Sequence, residues 1–280
     1  MSLVLEPRHR AGTGEPLVLL HGFTGTWRVW LPVIPQLAER FDVIVPTLGG
    51  HCGADPWQDG AEPTIAALAD LAEAELDSAG IETAHLAGNS LGGWLAFELA
   101  KRGRARSAVG IAPAGGWEKG DEKEERRLTG FFKRTHFLTK LAYPQVQSLV
   151  TRPGLRKLMF RDVMEHGERI RSGDAAHMMQ GVLECSIFFD FMDLVMRDGP
   201  AAELDTITCP VLIAWPEHDK IFPPERYAER YKTAIPGSEL VELRGCGHVP
   251  MWDDPDLIAR TVGDFAARSE IAAVSASPSA

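Results

Sequence analysis

The chain of 280 residues lacks any uninterrupted apolar stretch approaching the roughly 18 residues that cross a bilayer, which excludes a membrane-spanning helix. It also lacks a basic surplus. Its 39 Asp and Glu outweigh its 29 Lys and Arg, for a net charge of −10. Nucleic acid demands a basic face, and an anionic membrane surface repels an acidic protein, so neither is expected as a partner. The N-terminus, from Met1 to Arg10, has no charged start followed by a long apolar run and no small-residue cleavage site, so no signal peptide is expected. Cysteine is scarce: Cys52, Cys185, Cys209 and Cys246 stand far apart with no C-x-x-C pair. That pattern points to free thiols in a reducing cytoplasm rather than a disulfide framework. No internal repeat is visible. What remains is a chain of ordinary globular composition, 45% hydrophobic and 24% charged, long enough to bury a large core.

Read in order, short apolar runs alternate with helical patterns. Pro16–Leu20 reads as a strand that ends in the exposed turn His21-Gly22-Phe23-Thr24-Gly25-Thr26. Trp27–Arg40 reads as a helix, Phe41–Pro46 as a second strand, and Ile65–Ala79 as a helix closed by Gly80. Thr83–Ala87 and Arg106–Ala112 supply two more strands. The alternation predicts an α/β fold: a mostly parallel, doubly wound sheet covered on both faces. From Trp117 to about Pro200 the pattern changes to helices alone, broken at Pro144, Pro153-Gly154 and Ser172-Gly173. Two charge-rich pieces there, Glu118–Arg127 and Glu165–Arg171, read as solvated helix faces. Strands return at Cys209–Trp215 and Glu239–Leu243, with helices at Pro224–Thr233 and from Pro255 to about Arg268. The division expected is a core of residues 1–114 and 201–271, a helical cap of residues 115–200, and a disordered tail of residues 272–280.

The stretch that organises this pattern is Thr83–Leu99. A strand meets Gly88-Asn89-Ser90-Leu91-Gly92, and a helix follows at once. Glycines at 88 and 92 stand where a sharp strand-to-helix turn would otherwise drive a Cβ into backbone. Such a turn lifts the Ser90 hydroxyl clear of the sheet, beside helix N–H groups that favour a developing negative charge.

Three loops at the carboxyl ends of predicted strands then carry Ser90, Asp219 and His248, in that chain order. With His21-Gly22, Gly88-Asn89-Ser90-Leu91-Gly92-Gly93, Trp215-Pro216-Glu217-His218-Asp219 and Gly247-His248-Val249-Pro250, the sequence resembles the α/β-hydrolase superfamily over nearly its whole length. The resemblance implies an α/β-hydrolase fold with an inserted helical cap. It also implies roles: Ser90 as nucleophile, His248 as its general base, and Asp219 as the acid orienting the imidazole. The backbone N–H groups of Phe23 and Leu91 would bind the oxyanion. His21, Gly22, Trp94 and Val249 are expected at the substrate. Glu217 stays open as an alternative acid, and Asp219 as a simple helix cap. One loop departs from the family pattern: Thr47-Leu48-Gly49-Gly50-His51-Cys52-Gly53 stands where many relatives carry Asp-x-Pro-Gly-His-Gly.

A serine nucleophile points to an acyl carbon, since attack on an epoxide or alkyl halide would leave an ether that water does not open. The expected activity is hydrolysis of a carboxylic ester, lactone or thioester of a small molecule, without metal or organic cofactor. His21 and His51 have no partner at metal spacing. The Phe/Met-rich insert, with Trp27, Trp30 and Trp94 near the predicted sheet edge, suggests an apolar substrate. The same residues leave open a carbon–carbon bond hydrolase of the vinylogous-diketone type, a perhydrolase, and a ligand-sensing receptor that works by moving its cap. The sequence is silent on oligomeric state.

Overall fold

The computed structural model of the chain describes residues 6–276, with side chains as far as residue 271. Seven strands form one sheet: β1 (Arg8–Ala11), β2 (Glu15–Leu20), β3 (Phe41–Pro46), β4 (Ala84–Asn89), β5 (Ala105–Ile111), β6 (Val211–Pro216) and β7 (Glu239–Leu243). Their order is β1-β3-β2-β4-β5-β6-β7, with β1 antiparallel to β3 and every other pair parallel. This is the α/β-hydrolase type of fold, a mostly parallel sheet with helices on both faces. The two-residue period of the strands decides which face each side chain enters. Leu17, Leu19, Val43 and Val45 face α1 (Ile34–Leu37) and α10 (Pro255–Ala276), where they meet Trp30, Ile258, Val262 and Phe265. Val18, Leu20, Ile44 and Leu86 face the opposite layer, built from α2 (Ile65–Ser78), α3 (Leu91–Lys101) and α9 (Pro224–Ala234).

Between β5 and β6 the described residues contain helices and no strand: α4 (Glu122–Ala142), α5 (Val146–Leu149), α6 (Pro153–Phe160), α7 (Ser172–Glu184) and α8 (Phe188–Asp198). Two of the breaks expected from the sequence are helix starts, at Pro153 and Ser172. Proline suits a first turn because its missing N–H would be unpaired there anyway.

Several expectations need correction. Trp27–Arg40 is not one helix but a 3₁₀ turn, Trp27–Trp30, followed by the four residues of α1. Pro32 cannot donate to the preceding turn and interrupts the pattern. Strand β1 has no counterpart in the sequence reading, because an edge strand with polar side chains carries no apolar alternation. Glu118–Arg127 is not wholly solvated: Glu124 is buried and receives Arg127, Arg226 and the Tyr227 hydroxyl. Glu165–Arg171 is a loop with one 3₁₀ turn, Gly167–Arg169, rather than a helix face, held because Asp253 accepts the N–H groups of Glu165 and His166 at 3.1 and 2.7 Å. The backbone of α10 continues through Ala276, past the expected start of the tail, and residues 277–280 lie outside the described residues.

The strand order locates the site. From β2 the chain steps to β3 on one side, then crosses to β4 on the other. Two neighbouring loops thus leave the sheet in opposite directions at the carboxyl ends of β2 and β4, and open a crevice between them. His21–Thr26 and the turn at Ser90 occupy those ends.

Candidate active site

Ser90 sits at the abrupt junction of β4 and α3 with φ 56° and ψ −116°, a conformation that costs a non-glycine residue about 1–3 kcal/mol. Hydrogen bonds on both sides hold it there: Ser90 N–H donates to Ile111 O at 2.9 Å, and Ser90 O accepts from Trp94 and Ala114. The flanking glycines are sterically required. A Cβ at Gly88 would lie 2.0 Å from Gly92 O, and one at Gly92 would lie 2.1 Å from Leu20 O. Gly22 packs against the serine itself, for a Cβ there would stand 3.2 Å from Ser90 Cβ.

Asp219 and His248 are both buried, and His248 Nδ1 donates to Asp219 Oδ2 at 2.7 Å. The other carboxylate oxygen, Oδ1, accepts the N–H groups of Ile221 and Phe222 at 2.8 Å each. Asp219 therefore both closes its own turn and holds the imidazole, so the two roles weighed from the sequence coexist. Glu217 turns instead to Gly245 N–H, and among the described residues no hydrogen bond joins it to His248. His248 also packs edge-on against Phe222, with ring centroids 5.4 Å apart.

A cavity of about 550 Å³ opens over Ser90 and His248. Gly22, Phe23 and Val249 line it from the core, and Phe131, Phe132, Met178 and Phe188 from the helical insert. Ser90 and His248 face this common space, although no hydrogen bond joins Ser90 Oγ to the imidazole among the described residues. The backbone N–H groups of Phe23 and Leu91 likewise have no protein acceptor among the described residues, and both residues border a void of about 30 Å³ that Ser90 also lines.

Other expected site residues lie elsewhere. His21 is fully buried and lines neither space: Nδ1 donates to Gly22 O at 2.8 Å, and Nε2 accepts Leu48 N–H at 2.8 Å. Burial, then the neighbouring His51, pushes its pKa well down, so it is a neutral pin between the His21–Gly22 turn and the loop after β3. Trp94 lines the small void and stacks edge-on with Trp117. Trp27 and Trp30 line no part of the large cavity. Trp30 belongs to the core, and Trp27 stacks on His9. The departing loop Thr47–Gly53 holds the insert in place, because Gly50 O accepts both N–H and Oγ–H of Ser186, and Cys52 Sγ donates to Glu184.

Two residues that matter here carry no signal in the sequence reading. Asn89 Nδ2 donates to His248 O at 2.8 Å and to Ile111 O at 3.2 Å, fastening the histidine loop to the serine turn. Asp253 accepts Gly247 N–H at 2.8 Å as well as its two bonds from the insert, so one carboxylate joins the histidine loop to the helices above it. Nothing local in the sequence distinguishes Asp253 from its neighbour Asp254; both follow a short turn before α10.

Known proteins resemble this chain throughout. The epoxide hydrolase EphH of Mycobacterium tuberculosis is 33% identical over 201 residues, covering 71% of this chain and 94% of that protein. The crystal structure of a thermophilic esterase from Thermogutta terrifontis superposes with a TM-score of 0.73 at 22% identity, covering 94% of this chain and 93% of that one. A meta-cleavage product hydrolase from Pseudomonas fluorescens superposes with a TM-score of 0.70 at 19% identity, covering 94% of each chain. The model of the alpha/beta hydrolase family matches residues 17–261, and the chain belongs to that family.

Proposed function

We propose that the protein is a serine hydrolase that cleaves a carboxylic ester, lactone or thioester of a small, largely apolar molecule through an acyl-enzyme. The observation that carries this reading is the buried 2.7 Å bond between His248 Nδ1 and Asp219 Oδ2, opening onto the same cavity as the strained Ser90. With Nδ1–H committed to Asp219, His248 Nε2 is the nitrogen left to take the Ser90 proton. Ser90 Oγ then attacks the carbonyl carbon, and Phe23 and Leu91 N–H receive the negative oxygen. Collapse expels the alcohol or thiol, which regains a proton from His248. Water, deprotonated by the same imidazole, releases the acid and restores Ser90. In a free enzyme the serine–histidine bond is commonly long or misaligned, and it tightens when substrate binds. Residues 115–200 act as a helical cap over a core of residues 1–114 and 201–271.

Similarity to an epoxide hydrolase supports hydrolysis, but Ser90 argues against an epoxide as electrophile. Opening one with serine would leave a stable ether, whereas an acyl-serine ester is readily hydrolysed. The test is Ser90→Ala assayed on short p-nitrophenyl esters, alongside labelling of Ser90 by a fluorophosphonate. A loss of about a thousandfold or more, with labelling abolished, is expected. Ester turnover unchanged in that variant, or conversion of styrene oxide to its diol that persists in it, overturns the reading.

A further inference from the structure

A second polar stretch of the cavity wall involves neither Ser90 nor His248. Thr26, Arg28, Asp174 and His177 all line the cavity. Thr26 and His177 are buried, and Thr26 Oγ1 shares a 2.8 Å hydrogen bond with His177 Nε2. Thr26 Oγ1 also accepts Arg28 N–H at 3.3 Å, Arg28 Nη2 donates to Asp174 Oδ1 at 2.7 Å, and Asp174 Oδ2 receives Arg171 Nε at 2.7 Å. These bonds tie α7 to the turn after β2, but they do not use up the donors.

Counting protons makes the surplus explicit. If the Thr26 hydroxyl donates to His177 Nε2, the imidazole carries its proton on Nδ1, which has no protein partner among the described residues. If Nε2–H donates instead, the Thr26 hydroxyl proton is left over. Either way one donor remains. The imidazole stays neutral near pH 7, because burial, reinforced by Arg28, pushes its pKa down to about 4. Arg28 adds a donor: its side chain is about one-third exposed and lines the cavity, and among the described residues its Nη1 has no protein partner. A donor left over on a cavity wall is one that the acceptor of a bound molecule can take up.

We infer that Thr26, Arg28 and His177 form a second recognition point for the substrate of the proposed serine hydrolase, one that takes a neutral hydrogen-bond acceptor such as a ketone, ether or hydroxyl oxygen. Neutrality follows from the Thr26–His177 pair, which offers an uncharged donor, while Asp174 is shared between Arg28 and Arg171. Reach follows from the chain: Thr26 is three residues from Phe23, so their Cα atoms stand at most about 11 Å apart. An acceptor within about eight bonds of the cleaved carbonyl can therefore reach Thr26.

The inference rests on the serine hydrolase reading, and the test separates the two. Paired esters are compared on the wild-type protein: p-nitrophenyl 5-oxohexanoate against p-nitrophenyl hexanoate and the half-ester adipate, and acetate esters of 5-oxohexan-1-ol against hexan-1-ol. The keto member of at least one pair should show kcat/KM higher by about tenfold, with the carboxylate disfavoured. Thr26→Val and Arg28→Lys, the latter keeping the bond to Asp174, should bring the ratio toward one, chiefly through KM of the keto ester. Melting temperatures establish that both variants fold. Turnover of these esters with no keto preference in either pair overturns the inference and leaves the serine reading intact. Preference for the carboxylate overturns the neutrality. No Ser90-dependent turnover of any ester overturns the reading beneath both.

Discussion

The sheet with its two helical layers and the helices between Glu122 and Asp198 bury apolar surface in different ways. In the sheet, alternate residues of β2 and β3 enter opposite clusters and are almost fully enclosed. The insert has a smaller cluster of its own around Val150, Phe160, Met164, Ile170 and Met179. It leaves Phe137, Leu138, Leu141, Leu158 and Phe189 more than half exposed. The difference is one of tolerance. Close-packed strands fix the carboxyl ends that present Ser90, Asp219 and His248, where a displaced methyl group is felt at once. The insert contributes Phe and Met surfaces that can repack and so shape the cavity.

The most severe test of that contrast is Gly92→Ala. Its Cβ would fall 2.1 Å from Leu20 O, backbone that the sheet cannot move. The expected cost is about 4 kcal/mol or more, read as lost folding in urea denaturation. Stability close to wild type would mean that the serine turn is softer than the packing implies.

Asp253→Ala probes the seam between the regions. It strips the acceptor from three amides, those of Glu165, His166 and Gly247. The buried Gly247 donor, once orphaned, costs about 1–3 kcal/mol and the two part-buried ones less, so a total of about 2 kcal/mol or more is expected. Protease cleavage should appear first within 160–170, and KM should rise with kcat. A uniform loss of stability with the same cleavage pattern would make Asp253 an ordinary part of the core.

Acid should act on the core and the seam together. Burial holds His51 down to about 4, and pushes His21 well below its ordinary value. A histidine whose folded pKa is depressed contributes fully above its unfolded value near 6.5, and that contribution is lost as pH falls toward the folded value. His51 alone should account for about 3 kcal/mol between pH 7 and pH 4. Denaturation at pH 7, 5.5 and 4 should show the slope, and His51→Phe should flatten it.

The smallest effect belongs to the insert. Phe132 lines the cavity and touches Phe23, with ring centroids 5.5 Å apart. Phe132→Ala should change the preference between butyrate and octanoate esters by about tenfold, with little change in melting temperature. A large drop in stability would show the insert to be as tightly packed as the sheet.

Much of this molecule is legible along the chain. Strand β3 and strand β7 begin and end where their apolar runs do, and α2 stops before Gly80, which takes φ 69°. The glycines around Ser90 mark a turn that the backbone makes in the expected place. Less legible was everything that depends on which surfaces meet. Trp27 and Trp30 read as candidates for the cavity because aromatic residues near a sheet edge have no address in sequence, and the fold sent one into the core and the other against His9. His21 sits in a motif, yet its ring is spent on backbone.

Periodicity and steric restriction are local, so the amino-acid order by itself determined the alternation of strands and helices, the strained turn at Ser90 and the chain order of the candidate residues. Contacts between segments 30 to 160 residues apart obey no local rule, because they arise only when buried polar groups must find partners. Tertiary structure alone therefore decided that Asp219 rather than Glu217 meets His248, that Asn89 fastens the histidine loop, that Asp253 holds the insert at Glu165 and His166, and that Thr26 pairs with His177 across the cavity wall.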